Sequence, residues 1–482
     1  MSSPKLALAI LAVFALVAAS PKRETPDRIV LKPCHLEGFK EEVLCGSLRV
    51  WEDRAARKGR TIDIQLAVLP ALKPESAPDP LFLLAGGPGQ GARRYARLVP
   101  IAFQKVRRER DVVLVDLRGT GGSNPLACDP GDPLGFLGMT GNDLDVTPCL
   151  KKLEADPRLY TTEPAVDDLD DVRAALGYEQ INLWGGSYGT RAALVYAQRH
   201  PAHTRSVVLD GAAPFEIELP LHNAQGAQRA LDRLLADCAA EKECRAAFPR
   251  LREELAEVLA RLEQAPAKVN LRHPQTGQPI ELTIGRGTFA SGLRGMLYTP
   301  VHASLVPSVI RSAREGDFSP FAALSLETAA WSTETMSLGL TLSVLCSEDV
   351  HRITDDEAER ETRNTFGGRF EIETWRRMCS TWPRGPMPSL ERGKPLNVPA
   401  LILSGDLDPV TPPRWGEVMK THFSGALHVI IPGVAHNTSM TGCVPDLIAK
   451  FIEQGGPAGL DASCVRKIRR PPFVIDPSGT AP

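Results

Sequence analysis

The sequence has no long run of basic residues, and its 482 residues carry a formal net charge of only −2 at pH 7. A nucleic-acid-binding surface needs clustered positive charge, so we expect no nucleic-acid partner. Internal repeats and low-complexity segments are also absent from the sequence. Hydrophobic residues make up 43% of the chain and charged residues 24%, which is typical of a globular protein with a sizeable core.

The sequence also lacks the usual patterns of a metal site. It has ten cysteines but no repeated C-x-x-C motif and no cluster of cysteine with histidine, so we expect no zinc site and no other cofactor. An even number of cysteines in an oxidising compartment indicates disulfide bonds instead. The sequence leaves the connectivity open. The simplest pairing joins sequence neighbours: Cys34 with Cys45, Cys128 with Cys149, Cys238 with Cys244, Cys346 with Cys379, and Cys443 with Cys464.

A single candidate for a membrane-crossing segment lies at the N-terminus, and it predicts an export signal. Lys5 supplies positive charge, residues 6–17 are apolar, and small residues allow cleavage after Ala19. The apolar run is short for a membrane span, although an uncleaved anchor is the alternative. No cysteine follows the small residues, so a lipid anchor is not supported. We expect a signal peptide at 1–19 and a periplasmic or extracellular protein without stable membrane insertion.

Short apolar runs alternate with helical stretches, which predicts an α/β fold with a mostly parallel, doubly wound sheet. A helix is predicted at 164–176, with Gly177 as its C-terminal stop. Residues 62–68 alternate in polarity as a half-buried strand does. Continuous apolar runs that suit buried strands follow at 81–84, 112–115, 181–184, 207–209, 400–403 and 429–431.

The alternation of strands and helices stops after residue 210 and resumes near residue 398. The intervening segments have mainly helical spacing, which predicts a mostly helical insertion at 216–385 between two strands of one sheet. The mature chain is therefore expected to contain a first part of the sheet domain at 20–215, the insertion, and a second part at 386–482. The second part ends in a proline-rich tail.

The motif G-G-S-Y-G at 185–189 fits the G-x-S-x-G pattern of a nucleophile elbow. The pattern alone is weak, but a predicted buried strand leads into it and a predicted helix follows it. That strand–turn–helix setting is the one in which a serine hydroxyl is exposed at the edge of a sheet in the α/β-hydrolase fold. We expect Ser187 to be a nucleophile, with an ordinary strand–helix turn as the alternative.

A serine nucleophile needs a histidine base that is oriented by a carboxylate, and in this fold the chain order is serine, acid, histidine. Asp406 and Asp408 both follow the predicted strand at 400–403; we favour Asp408 as the acid and Asp406 as a turn-forming residue. His436 lies in a loop just past the last predicted strand, where it would lie over the edge of the sheet. His428 falls inside that strand and is expected to be structural.

Two backbone N–H groups are expected to form an oxyanion hole. One belongs to Tyr188, the residue after the nucleophile. The other should come from the loop A-G-G-P-G at 85–89, with Gly87 as the candidate, because its glycines allow the backbone to approach a substrate closely. A plain glycine and proline turn is the alternative for this loop.

Four motifs together resemble the prolyl aminopeptidase and tripeptidyl aminopeptidase group of α/β-hydrolase serine peptidases. They are G-G-P-G at 86–89, D-L-R-G at 116–119, G-G-S-Y-G at 185–189 and D-P-V-T-P at 408–412. The region from Trp382 to Phe473 is similar to the C-terminal region of the tripeptidyl aminopeptidase branch. Prolyl aminopeptidases usually have histidine where this chain has Ala85, a departure that argues against prolyl specificity.

The resemblance implies a function as well as a fold. The insertion would be a cap over the active site, and Ser187, Asp408 and His436 would be the nucleophile, acid and base. Peptides would be the substrates, and short pieces or single residues would be released from their N-termini. A carboxylesterase-like hydrolase with the same triad is the main rival, because one fold hosts many chemistries. A non-catalytic binding protein on the same scaffold is a more distant one, since no triad member is missing.

An aminopeptidase must also bind the free α-ammonium group of its substrate, and a carboxylate in a closed pocket is the simplest partner. Glu348 and then Asp349 are our candidates, because they close an apolar run near the point where the insertion returns to the sheet. The alternative is a solvated acidic loop.

Overall fold

The computed structural model describes residues 28–128, 145–272, 277–389 and 393–476. The signal peptide predicted at 1–19 lies outside the described residues. Within them, nine strands form one sheet in the order β1-β2-β3-β5-β4-β6-β7-β10-β11, and two further strands form a hairpin. The strands are β1 (Lys32–Cys34), β2 (Val43–Trp51), β3 (Thr61–Leu69), β4 (Leu81–Leu84), β5 (Val112–Val115), β6 (Ile181–Gly186), β7 (Thr204–Asp210), β8 (Ala267–Arg272), β9 (Pro279–Ile284), β10 (Leu396–Gly405) and β11 (Phe423–Ile431).

The strands from β5 to β11 along the sheet order pair in parallel, and β1, β2 and β3 form an antiparallel edge. Because parallel strands end at the same edge, the loops after β4, β6, β7, β10 and β11 lie together. β4 and β5 are buried along their whole length, since helices cover both faces of the sheet. The predicted α/β fold with a mostly parallel sheet is therefore confirmed.

α-Helices of at least six residues make up a large part of the chain outside the strands. The predicted helix at 164–176 is observed as Thr162–Leu176, and Gly177 ends it in the left-handed conformation with φ 85°. The others within the described residues are Gln104–Glu109, Thr147–Lys152, Tyr188–Arg199, Asn223–Ala240, Lys242–Ala247, Leu251–Gln264, Arg286–Met296, Pro300–Glu315, Ser319–Thr335, Leu338–Glu348, Asp355–Thr362, Phe370–Thr381, Pro413–Lys420 and Val444–Gln454.

The segment between β7 and β10 is mainly helical but also contains the β8–β9 hairpin, which the sequence did not indicate. It has a hydrophobic core of its own, to which Phe289 and Phe321 contribute fully buried rings. Its helix Leu338–Glu348 is buried throughout and packs Leu340 and Val344 into the core of the sheet. We propose residues 216–385 as a cap that is anchored to the sheet through this helix, between core parts at 20–215 and 386–482.

All ten cysteines lie in disulfide bonds between sequence neighbours, as the simplest pairing predicted. In the part of the chain that the structure describes, we find no helix with the length and apolar character that a membrane crossing requires.

Candidate active site

Ser187 lies between β6 and the helix Tyr188–Arg199, with φ 55° and ψ −121°, a strained conformation for a residue with a side chain. The neighbouring glycines make this sharp turn possible. A Cβ atom at Gly185 would lie 2.3 Å from the carbonyl oxygen of Gly189, and one at Gly189 would lie 2.2 Å from that of Leu84. Side chains at these two positions are excluded by contact with backbone, so the G-x-S-x-G pattern follows from packing.

Hydrogen bonds fix the backbone of Ser187 at the edge of the sheet. Its N–H donates to the carbonyl oxygen of Asp210 at the end of β7, at 2.8 Å. Its own carbonyl oxygen accepts from the hydroxyl of Thr190 at 2.6 Å, and the same hydroxyl accepts from the N–H of Ala213. The turn is therefore bound both to its own helix and to the chain that leaves the neighbouring strand.

His436 and Asp408 form a hydrogen-bonded pair beside this edge. Nδ1 of His436 lies 2.8 Å from Oδ2 of the fully buried Asp408. The N–H groups of Val410 and Thr411 donate to Oδ1 of Asp408, and the hydroxyl of Thr411 donates to Oδ2, each at 2.8 Å. A carboxylate with these partners accepts a hydrogen bond from a protonated Nδ1. The other ring nitrogen, Nε2, is then left as a hydrogen-bond acceptor.

The electrostatics of the pair favour an ionised acid and a basic histidine. Burial acts to raise the pKa of Asp408, but His436 and the backbone donors outweigh it and hold that pKa below its usual value. Burial acts to lower the pKa of His436, yet the charge and hydrogen bond of Asp408, together with Asp210, raise it above its usual value. The pair is thus arranged to stabilise an imidazolium ion.

The other candidates for the acid and the base have different partners. Oδ1 of Asp406 accepts the N–H of Gly433 at 2.8 Å, which closes the turn between β10 and the loop after β11. His428 is bonded to Glu417 and Ser404. Of these residues, the structure brings Asp408 and His436 together, in line with the order of preference drawn from the sequence.

The loop after β4 lies directly against Ser187. A Cβ atom at Gly86 would be 3.2 Å from Cβ of Ser187. Among the described residues, the N–H groups of Gly87 and Tyr188 have no acceptor on the protein. The start of the helix Leu338–Glu348 holds this loop, because the hydroxyl of Thr341 donates to the carbonyl of Pro88 at 2.6 Å. This arrangement suits an oxyanion hole in which both N–H groups donate to a negatively charged oxygen.

Glu348 and Asp349 are both completely buried, so the alternative of a solvated loop is wrong. Glu348 accepts the N–H and the hydroxyl of Thr162, at 2.8 and 2.9 Å. Both oxygens of Asp349 are bonded to the guanidinium of Arg191, so the charge of Asp349 is already paired. Asp349 therefore stays the second candidate for a substrate amine. Burial raises the pKa of Glu348 to about 7.

Sequence reasoning missed three residues that the structure places at the site. Thr411 supports Asp408, Asp210 binds the loop that follows His436, and Tyr298 of the insertion contacts His436. The carbonyl of Tyr298 accepts the N–H of His436 at 3.1 Å, and the two rings meet edge to face with centroids 5.3 Å apart. Only Thr411 carried a sequence signal, since it belongs to the motif D-P-V-T-P at 408–412.

Two family models match the chain. The family described as alpha/beta hydrolase fold covers residues 79–292, which include Ser187 and the loop after β4. The chain therefore has the α/β-hydrolase fold. A second family, described as TAP-like protein, covers residues 366–464, which include Asp408 and His436.

Named relatives agree with the resemblance seen in the motifs. The serine protease Hip1 of Mycobacterium tuberculosis is 24% identical in an alignment that covers 92% of this chain and 92% of that protein. A tripeptidyl aminopeptidase of Streptomyces coelicolor is 23% identical in an alignment that covers 79% of this chain and 75% of the relative. These similarities confirm the resemblance to the prolyl and tripeptidyl aminopeptidase group.

A solved structure of the proline iminopeptidase of Mycobacterium smegmatis is also similar. It is 16% identical to this chain, the match covers 86% of this chain and 99% of that one, and the TM-score is 0.37.

Proposed function

We propose that this α/β-hydrolase is an exported serine peptidase that releases short N-terminal peptides or single residues from peptides. The observation that carries the proposal is the hydrogen bond of 2.8 Å between Asp408 and His436, at the same edge of the sheet as the strained turn of Ser187. In the proposed mechanism Ser187 is the nucleophile, His436 the general base and Asp408 the residue that orients the base.

Acylation begins when the hydroxyl oxygen of Ser187 attacks the carbonyl carbon of the scissile bond. Nε2 of His436 takes the hydroxyl proton, and Asp408 stabilises the imidazolium ion that results. Negative charge develops on the substrate oxygen, where the N–H groups of Gly87 and Tyr188 would donate to it. Collapse of the tetrahedral intermediate breaks the C–N bond, and the imidazolium ion protonates the leaving amine.

Deacylation repeats these steps with water as the nucleophile. His436 removes a proton from the water, the oxyanion forms again in the same place, and Ser187 leaves with the proton that His436 returns. The released product carries a new carboxyl group, and the enzyme is restored. No step of this mechanism requires a metal ion or an organic cofactor.

Recognition of the substrate's free amine is the part of the proposal that depends on Glu348. A buried carboxyl group with a pKa of about 7 is a suitable partner for an ammonium ion, because the pairing is strongest where water is excluded. Glu348 would exchange its bond from the hydroxyl of Thr162 for one from the amine. The export part of the proposal rests on the five disulfide bonds, which persist in oxidising compartments.

The proposal is tested with triad variants and paired substrates. Ser187→Ala and His436→Ala should each lower kcat by on the order of 10⁴-fold, with unchanged circular dichroism. Asp408→Asn should be impaired to a comparable degree, while Asp406→Asn is the matched control and should stay near wild type. A normal rate for Ser187→Ala would refute the proposed nucleophile.

A carboxylesterase would use the same triad, so substrates have to separate the two functions. Free-amine tripeptidyl and aminoacyl amides are compared with a small neutral acyl ester in one assay. An aminopeptidase should turn over the amides with the higher kcat/KM and should lose that activity when the substrate's N-terminus is acetylated. Turnover of the ester alone would assign the protein to the esterases.

A further inference from the structure

Asp210 joins the two halves of the site through its backbone and its side chain. It is the last residue of β7, it is fully buried, and it pairs with Gly186 of β6 and Leu403 of β10. Its carbonyl oxygen accepts the N–H of Ser187 at 2.8 Å. The strand end that carries Asp210 therefore fixes the turn of the nucleophile.

The carboxylate of Asp210 holds the loop that follows His436. It accepts the N–H of Thr438 with both oxygens at 2.8 Å and the hydroxyl of Thr438 at 3.0 Å. It also accepts the N–H of Ser439 at 2.8 Å and the hydroxyl of Ser439 at 2.6 Å. Four donors within two residues converge on one side chain, directly after the proposed base.

Two further contacts tighten this arrangement. The indole N–H of Trp184, on the strand that leads to the nucleophile, donates to the hydroxyl of Ser439 at 2.9 Å. Gly211 follows Asp210 with φ 72°, and a Cβ atom there would lie 3.1 Å from Cε1 of His436. The imidazole thus rests on the turn that Asp210 begins.

We propose that Asp210 is a positioning residue that holds the turn of Ser187 and the loop of His436 in one fixed relation. The inference rests on the proposed function, in which Ser187 is the nucleophile and His436 is the base. Asp210 itself would make no contact with the substrate. A displacement of about 1 Å between a nucleophile and its base can lower the rate on the order of 10²-fold. A residue that fixes the positions of both groups should therefore have a large effect on the rate.

A carboxylate accepts all of these hydrogen bonds at once. An asparagine would place its NH₂ group where an oxygen now accepts a backbone N–H, and the hydroxyl beside it would have to turn and accept instead. The carboxylate also acts on the base through its charge. The charged or titratable groups that face His436 are Asp408, Asp210, and Arg294 with Tyr298 of the insertion. Among the described residues, no lysine or arginine forms an ion pair with Asp210.

The test compares Asp210→Asn with Asp79→Asn. Asp79 is a buried aspartate at the opposite end of β6, where it binds Arg110 and Asn182. Active enzyme is counted by titration with a fluorophosphonate probe, so that any loss of folded protein does not enter kcat. We expect Asp210→Asn to lower kcat by on the order of 10²-fold with KM changed by less than about threefold. Asp79→Asn should keep the kcat of wild type.

The pH profile of kcat/KM distinguishes the proposed role from a purely structural one, because loss of structure alone would not shift the acidic limb. Removing the charge of Asp210 takes away one group that favours the imidazolium ion, so the acidic limb of kcat/KM should move to lower pH. Thr438→Val keeps the carboxylate and removes one donor; it should lower kcat by about tenfold without moving the limb. This variant carries the test if Asp210→Asn does not fold.

The outcomes separate this inference from the proposed function. If Ser187→Ala is inactive while Asp210→Asn keeps the kcat and acidic limb of wild type, the role of Asp210 is refuted and the proposed function stands. Equal losses of kcat in Asp210→Asn and Asp79→Asn would also refute it. If Ser187→Ala stays active, the proposed function fails whatever Asp210→Asn does.

Discussion

At the scale of single residues, the environment of His436 determines how activity should depend on pH. Burial lowers its pKa, but Asp408 and Asp210 outweigh burial and leave the pKa above the usual value of 6.5. A general base must be unprotonated, so a raised pKa moves the loss of activity on acidification to higher pH. We therefore predict that kcat/KM falls as pH drops through a value above that of an ordinary histidine.

The measurement is a profile of kcat/KM between about pH 5 and 9 with a substrate that has no titrating group in that range. A neutral ester meets this condition, because the ammonium of a free peptide titrates near pH 8. An acidic limb at or below pH 6.5 would contradict the prediction. Asp408→Asn as a control should lower the rate and move the acidic limb of the remaining activity to lower pH.

At the scale of secondary-structure elements, the insertion contributes directly to the site through Tyr298. This residue lies between the helices Arg286–Met296 and Pro300–Glu315. Its hydroxyl accepts from Arg294 at 2.9 Å, and Arg294 in turn is bonded to Glu371 at 3.1 Å. A chain of contacts thus leads from a third helix of the insertion to the backbone and ring of His436.

We predict that Tyr298→Ala lowers kcat by about tenfold or more, because the imidazole loses the ring against which it packs. Tyr298→Phe is the matched control: it keeps the ring and loses only the bond to Arg294, so its kcat should remain within about threefold of wild type. Both variants are compared by steady-state kinetics after titration of active sites. Full activity of Tyr298→Ala would show that the contact does not position the base.

The same scale shows what the sequence could predict. The apolar run at 81–84 is β4, because burial on both faces leaves a continuous hydrophobic run. The helix predicted after Ser187 is observed as Tyr188–Arg199. The β8–β9 hairpin was missed because its strands are short and carry charged residues among the apolar ones. The roles of Asp210 and Tyr298 depend on contacts between distant segments, which local patterns do not encode.

Glu348 illustrates the same limit at a proposed site. Its position after the apolar run 340–345 was evident from the sequence, but the run is a buried helix and not the approach to a loop. Charged residues at the end of such a run are ordinarily expected in solvent. Burial of Glu348 is possible because Thr162 and Arg191, far away in the chain, supply its partners.

At the scale of the whole molecule, five disulfide bonds join neighbouring segments of the fold. The bond between Cys346 and Cys379 spans 33 residues and connects the buried helix Leu338–Glu348 with the helix Phe370–Thr381. The bond between Cys238 and Cys244 spans only 6 residues. Closing a longer loop removes more conformational entropy from the unfolded chain. For these two loops the difference in stabilising free energy is about 1.5 kcal/mol in favour of the longer loop.

We predict that replacing both Cys346 and Cys379 with serine lowers Tm more than replacing both Cys238 and Cys244. The comparison uses exported protein and thermal unfolding at one fixed scan rate. Non-reducing peptide mapping by mass spectrometry of the wild type should first show at least four bonds between sequence neighbours. Mostly free thiols in that map would remove the main support for export, and equal Tm losses would contradict the argument from loop length.

In the proposed function, substrate choice is also a property of the whole molecule, since the insertion and the sheet would together enclose the end of a peptide. Glu348 lies where both meet: it is in the insertion, and its partner Thr162 begins a helix of the core. Because burial raises its pKa to about 7, an ammonium ion that arrives near neutral pH should favour the ionised carboxylate. The pairing would distinguish a free N-terminus from a blocked one.

We predict that Glu348→Gln lowers kcat/KM for free-amine peptides by about tenfold or more and barely affects a small neutral ester. The glutamine keeps the size of the side chain and an acceptor for Thr162, so the fold should be retained. Acetylating the substrate should then cost the wild type far more than the variant, because the variant has already lost the charge that distinguishes the two substrates. Equal costs in both enzymes would clear Glu348 of the role, while full activity of the wild type on acetylated peptides would exclude an aminopeptidase.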